Sequence, residues 1–263
     1  MNFAEYNVKD ANLEEILLAL KSLDTVEAVA LGGSRSTGAS DENSDYDIYV
    51  YCAEIPTAET RENLLGKYCS IAEFGNHYWE SEDNTVMNNG IPVDIIYREV
   101  DRFGRYIDTV IKGGKAFNGY TTAFWHNIKN SKVLFDKTGT FTKFRDMAQI
   151  DFPENLRSAI IKNNRNLLNG KLPSYDRQIK KAQERGDIVS VNHRITAFLE
   201  SYFDVIFALN RQTHPGEKRQ VQTAVNMKSS QQWSITLMKS LTMNSNKKSG
   251  VGKFRHRSTF SAI

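Results

Sequence analysis

Residues 26–51 read VEAVALGGSRSTGASDENSDYDIYVY. Ala28 to Leu31 is a short apolar run stopped by Gly32-Gly33, the pattern of a buried strand entering a tight turn. Glycine accepts positive φ and lets the backbone come close to a ligand. Ser34 to Thr37 then lead to Gly38, a short helix whose leading N–H groups, with the Ser34 hydroxyl, suit a phosphate oxygen. Ten residues separate Ser34 from Asp45. Asp45 to Tyr51, DYDIYVY, is rich in β-branched and aromatic residues and reads as a second strand. Strand alternation puts Asp45 and Asp47 on one face and turns Tyr46, Ile48 and Val50 towards the core. Two carboxylates beside a phosphate cradle form a site where Mg²⁺ holds a polyphosphate.

Each piece alone has a plainer reading. Gly-Gly-Ser is usually a turn, and Asp-x-Asp is usually a solvated strand edge. The conjunction is what carries weight: an apolar strand, Gly33-Ser34, the ten-residue gap, then Asp45 and Asp47 inside an apolar strand. In this the chain resembles the nucleotidyltransferases of the DNA polymerase β superfamily, and Arg35 followed by Gly38 is most similar to their bacterial antibiotic and minimal branch. The resemblance implies an α/β fold in which a mixed β-sheet catalytic domain precedes an α-helical bundle. It implies nucleotide binding by Gly33, Ser34 and Arg35, and two Mg²⁺ ions held by Asp45, Asp47 and a third acid on a neighbouring strand. The candidate for that acid is Asp94, in the run IPVDIIYR. A carboxylate buried unpaired among Val and Ile costs on the order of several kcal/mol. The plainer account of Asp94 is an ion pair with Arg98.

The implied chemistry is transfer of a nucleoside monophosphate from a nucleoside triphosphate to a hydroxyl. A small-molecule acceptor such as an aminoglycoside or lincosamide comes first. The alternatives are a protein nucleotidylyltransferase acting on Tyr, Ser or Thr, and a non-catalytic nucleotide-binding or antitoxin-like module.

Composition sets the bounds. The chain has 263 residues, 40% hydrophobic and 25% charged, ordinary for a soluble globular protein. No apolar run approaches a membrane span, and the first residues are acidic and lack the basic start of a secretion signal. Cys52 and Cys69 lack metal-ligand spacing and read as reduced residues of a cytoplasmic protein. The net charge of +3 hides a division. Lys218 to Ile263 holds nine Lys and Arg and no acid, which leaves 25 basic against 31 acidic residues, net −6, in the rest. An acidic body argues against a broad nucleic-acid surface.

Organisation follows from periodicity. Asn12 to Leu23 reads as a helix capped by Asp10 or Asn12, and a second helix starts after Thr57. Cys69 to Phe74 reads as a strand. The polar run from Gly75 to Gly90 reads as an edge strand and loop, whose His77, Tyr78 and Trp79 offer stacking surfaces. Further helices are expected over residues 101–111 and 118–131, and a strand over 132–136. Beyond Pro153 the periodicity is helical only, with a strongly basic face over residues 175–185 and a long apolar stripe over 187–210. The expected domains are therefore 1–150, catalytic, and 151–226, helical on the substrate side. Residues 227–263 read as an atypical basic tail, either disordered or foreign to the fold. Glu200 and Asp204 lie one turn apart beside the apolar stripe, and Glu200 is a candidate general base for the acceptor hydroxyl.

Overall fold

The computed structural model describes residues 10–38, 44–170, 173–225 and 227. Residues 10–218 belong to one compact unit; a second unit begins at Arg219 and contains one described helix, Gln220–Val225. The expectation for the tail beyond Met227 lies outside the described residues.

The first unit is built on a six-stranded sheet in the order β3-β4-β5-β2-β1-β6. The strands are β1 (Val26–Leu31), β2 (Tyr46–Cys52), β3 (Cys69–Asn76), β4 (Ser81–Met87), β5 (Pro92–Glu99) and β6 (Lys132–Asp136). The sheet is mixed: β2 and β5 run parallel, and the other neighbours are antiparallel.

Period-two alternation on β2 and β5 divides the protein into two layers. Tyr46, Ile48 and Val50, with Val93, Ile95 and Tyr97, face a core shared with Leu13, Ile16, Leu17 and Leu20 of α1 (Ala11–Ser22). Asp10 caps α1, accepting the Asn12 and Leu13 N–H groups at 3.0 and 3.3 Å. The α3 helix (Ala58–Leu65) lies on this side too and starts at the Thr57 cap. The opposite layer holds Ala28, Ala30 and Tyr51 against α4 (Val100–Ile111), α5 (Ala123–Asn130) and α6 (Thr140–Ala148), through Phe103, Ile107, Trp125, Phe141 and Phe144. Leu156 and Ile160 of α7 (Glu154–Asn169) join that layer, so sheet and helical region share a core. The α8 (Tyr175–Glu184) and α9 (Ile188–Leu209) helices complete the helical region with α7.

Three local expectations change. The helix expected from residue 118 begins at Ala123, because Gly119 and Tyr120 take φ of 96° and 52° and turn the chain first. The run 75–90 is not an edge: β4 lies inside the sheet between β3 and β5, and its polar residues face ordered partners. The α6 helix, which has no strong sequence signal, starts at Gly139, whose φ of 75° re-aims the chain after β6. Both cysteines are free thiols. Among the described residues no helix is long and apolar enough to cross a membrane.

Candidate active site

The site forms where β1 ends against β2. The Gly32 N–H donates to the Asp47 carbonyl at 2.8 Å, closing the turn onto the neighbouring strand. A Cβ on Gly32 would meet the Tyr49 ring at 2.2 Å, and one on Gly33 would lie 1.7 Å from Asp47 Oδ2. Gly33 also takes a φ of 61°. Two independent demands, left-handed backbone and a carboxylate resting on the turn, therefore exclude any side chain at Gly33. The chain continues into α2 (Gly33–Thr37), whose first bond runs from the Ser36 N–H to the Gly32 carbonyl. The N–H groups of Gly33, Ser34 and Arg35 precede that bond and lie at the positive end of the turn.

Register supplies the rest. Asp47 and Asp94 are directly opposed on the parallel β2–β5 pair. Neighbouring residues on paired strands share a face, and one carboxylate oxygen from each of Asp45, Asp47 and Asp94 lies within 4.8 Å of the others. All three are partly exposed, so an ion can enter without unfolding the site. Arg98 does not pair with Asp94. Its guanidinium forks onto Glu80 at 2.8 Å through both Nε and Nη2. Asp94 is held instead by Asn84 on β4, whose Nδ2 donates to Asp94 Oδ1 at 2.9 Å; Asn84 in turn accepts from Asn76 Nδ2 at 2.8 Å.

Electrostatics mark Asp47 as the strained member. Burial pushes its carboxyl up to about 6; the Asp45 charge adds to this, Lys218 opposes it, and Asp94 adds further. Three carboxylates this close favour a cation between them, and oxygen-only donors are the set a hard divalent ion prefers.

Arg35 is engaged locally. Its Nε donates to the Ser44 and Asp45 carbonyls at 2.9 and 3.1 Å, and the guanidinium lies 4.0 Å over the Tyr46 ring. It thereby anchors the backbone that presents Asp45. Beneath the turn, Arg98 also lies 4.2 Å over the Tyr49 ring and donates to Asn127 Oδ1 at 2.8 Å, buttressing the ring on which Gly32 rests. Sequence reading missed Asn84, Tyr49 and Lys218, and gave Arg98 the wrong partner. Register pairs Asn84 with Asp94 and so gave a signal once β4 was placed; Lys218 gave none, because it was counted with the basic tail.

Glu200 sits half-buried on α9, its Cβ 2.8 Å from where a Gly119 side chain would begin, and burial raises its carboxyl. Its neighbour Asp204 is a structural group: it accepts from the Thr121 N–H, the Thr121 hydroxyl and Asn164 Nδ2 at 3.0, 2.7 and 3.0 Å. His77 and Trp79, with Glu80, Arg98, Arg102 and Tyr106, line a cavity of about 710 Å³ at the far end of β5.

Residues 13–116 match the family described as nucleotidyltransferase domain, and residues 122–219 match a domain of unknown function, DUF4037. No curated protein matches the chain in sequence. Among solved structures, a nucleotidyltransferase-like protein from Exiguobacterium sibiricum 255-15 aligns at 9% identity and TM-score 0.41, covering 82% of this chain and 61% of that one. The Thermotoga maritima CCA-adding enzyme complexed with tRNA aligns at 13% and 0.31, covering 84% and 57%. The Bradyrhizobium diazoefficiens CD-NTase CdnG in complex with GTP aligns at 12% and 0.26, covering 81% and 90%. The chain thus spans less than two thirds of the first of these proteins. The glycine turn and the three carboxylates lie inside the matched segment: residues 13–116 match the nucleotidyltransferase domain family.

Proposed function

We propose that this protein is a cytoplasmic, Mg²⁺-dependent enzyme that moves a nucleoside monophosphate from a nucleoside triphosphate to the hydroxyl of a small molecule. The observation that carries the reading is the in-register pairing of Asp47 with Asp94, which gathers three carboxylates beside the Gly33 turn. Asp45, Asp47 and Asp94 are the residues that would hold the divalent ions. When bound, such ions neutralise phosphate charge and acidify a coordinated hydroxyl.

The chain's own groups have definable tasks. Asp47 would serve as a ligand in its ionised form; burial first and the Asp45 and Asp94 charges after it disfavour that form, and a bound cation would offset both. Asn84 keeps the Asp94 carboxylate from rotating away. The Gly33 and Ser34 N–H groups and the Ser34 hydroxyl face phosphate oxygens, stabilising charge on the leaving pyrophosphate. Arg35 holds Asp45 in place through the backbone and adds positive charge near the triphosphate. Glycine at position 33 keeps the loop low enough for the triphosphate to approach Asp47.

Incubation with labelled ATP, GTP, CTP and UTP, Mg²⁺ and a panel of aminoglycosides, lincosamides and other polyols tests the reading. Pyrophosphate release with a labelled small-molecule product is expected, and Asp47→Asn abolishes it. Label appearing only on protein, or no turnover with any nucleotide, overturns it.

A further inference from the structure

Charge in this chain is segregated. Residues 1–153 carry 24 acidic and 15 basic groups, net −9, whereas residues 154–185 carry three acidic and eight basic ones, net +5. The basic segment is the α7–α8 hairpin. The structure shows how its cations are arranged.

One face of α7 is buried through Leu156, Ile160 and Asn164, at four-residue intervals. A second face carries Ser158, Lys162, Arg165, Asn166 and Asn169, and with Arg177 of α8 it lines an open groove of about 630 Å³. Positions three and four apart stack along a helix, so Lys162 and Arg165 form a like-charged pair on the groove wall. Like charges at that spacing weaken a helix by a few tenths of a kcal/mol, and no acid lines the groove among the described residues. Two acids of the hairpin have partners of their own. Glu154 is held by Arg157 at 2.7 Å and Arg211 at 3.0 Å, and Asp176 accepts the Arg177 backbone N–H at 2.7 Å. Interleaved amides and a hydroxyl, with Ile161 and Gly170, complete the lining; the polar groups among them are of the kind that donate to sugar, base and phosphate oxygens.

We infer that the α7–α8 groove is a binding site for the phosphate backbone of a polynucleotide strand. Its lining is mainly polar, and Ile161 alone does not make the apolar strip that a membrane-seated helix would need. It is open rather than closed around one small anion. The site is separate from the carboxylate cluster, and it stands whether or not the transfer reaction is as proposed. The overall acidity of the body does not oppose it, because phosphates meet the local field and an exposed charge is screened within about 10 Å at ordinary salt.

The test uses the full chain and a fluorescent twelve-nucleotide single-stranded RNA, with binding followed by anisotropy over a salt series. Lys162, Arg165 and Arg177 are all exposed, so Lys162→Ala/Arg165→Ala retains the parent's circular dichroism and melting temperature. The expected result is that this variant binds about tenfold more weakly, with a log–log salt slope shallower by about 1.4, the loss of two single-strand phosphate contacts. Parent and variant binding RNA equally would overturn the inference and assign any RNA affinity to the basic residues after Glu217. Displacement of the RNA by inorganic tripolyphosphate as effectively, per phosphate, as by unlabelled oligonucleotide would also overturn it, marking a small-anion site instead.

Discussion

The sheet and the helical region bury polar groups in different ways. In the sheet, Asp47, Asp94 and Asn84 occupy adjacent strands in register, so strand pairing alone sets their spacing. Arg61 and Asp83 likewise meet at 3.1 Å, one on α3 and the other on β4. In the helical region, Asp204 on α9 gathers Thr121 from the loop before α5 and Asn164 from α7, residues 83 and 40 positions away. Nothing periodic relates those three. A sheet converts sequence spacing into geometry, whereas a helical bundle fixes its geometry through scattered contacts. The chain places its carboxylate cluster on the first kind of scaffold and the hydrogen bonds that brace its helices on the second.

If that contrast is right, breaking the buried pair of the sheet has the largest effect on stability. Asp83 is fully buried and Arg61 is 2% exposed. Arg61→Ala leaves Asp83 an uncompensated charge, and a loss of about 3–5 kcal/mol is expected in urea unfolding. A loss below 1 kcal/mol would mean that water reaches Asp83 and that the pair is not part of the frame. In the helical region, Asp204→Ala removes the acceptor of the Thr121 N–H and takes one acceptor each from the Thr121 hydroxyl and the Asn164 amide, which keep the Phe117 carbonyl, at an expected cost of about 2–3 kcal/mol. The α7–α9 contact should loosen first, read as faster amide exchange in α9 than in β2.

A pH series sharpens the same contrast. His214 is fully buried between the Tyr120 and Phe207 rings, and burial followed by the His126 charge lowers its pKa to about 3. The unfolded chain takes up a proton near pH 6.5 that the folded chain refuses until about 3, so His214 costs the parent stability as pH falls through 6.5. Asp47 and Asp204, both raised to about 6, act in the opposite sense: their ionisation costs stability as pH rises through that range. The informative quantity is therefore the difference between parent and His214→Phe. The variant's deficit at neutral pH should shrink by about 2 kcal/mol at about pH 5. A deficit that does not change with pH would show that His214 is protonated in the folded protein.

The smallest effect lies in the glycine turn. Ser34→Ala should weaken triphosphate binding by about 1–2 kcal/mol, the worth of one hydrogen bond to a charged group, with little change in melting temperature. Calorimetric titration with a non-hydrolysable triphosphate measures it.

The same contrast governs what the sequence made legible. The strand–turn–strand unit and the shared face of Asp45 and Asp47 rest on period-two alternation and a glycine turn, which are local; the candidacy of Asp94 came from the resemblance and its strand context. Asn84 was not legible, because residues 75–90 are too polar to read as an interior strand until β3 and β5 are in place beside them. The pairing expected for Arg98 was equally undecidable: Asp94 and Glu80 are both acids, and strand geometry selects Glu80 by placing Asp94 four residues away along β5. Gly119 and Tyr120 disguised the start of α5, since an aromatic residue at positive φ leaves no mark in the sequence. The bracing role of Asp204 was not legible because its partners, Thr121 and Asn164, come from distant segments.

The central claim is that Asp45, Asp47 and Asp94 act together as one cation site. Manganese binding in the presence of a non-hydrolysable triphosphate, followed by electron paramagnetic resonance, tests it without requiring an acceptor. The parent should bind, Asp47→Asn and Asp94→Asn should each lose about a hundredfold or more in Mn²⁺ affinity, and Asn84→Ala, which removes only a supporting hydrogen bond, should lose about tenfold. Equal Mn²⁺ affinity in the parent and in Asp94→Asn would contradict the account, because the strand register that joins Asp94 to Asp47 would then carry no chemistry.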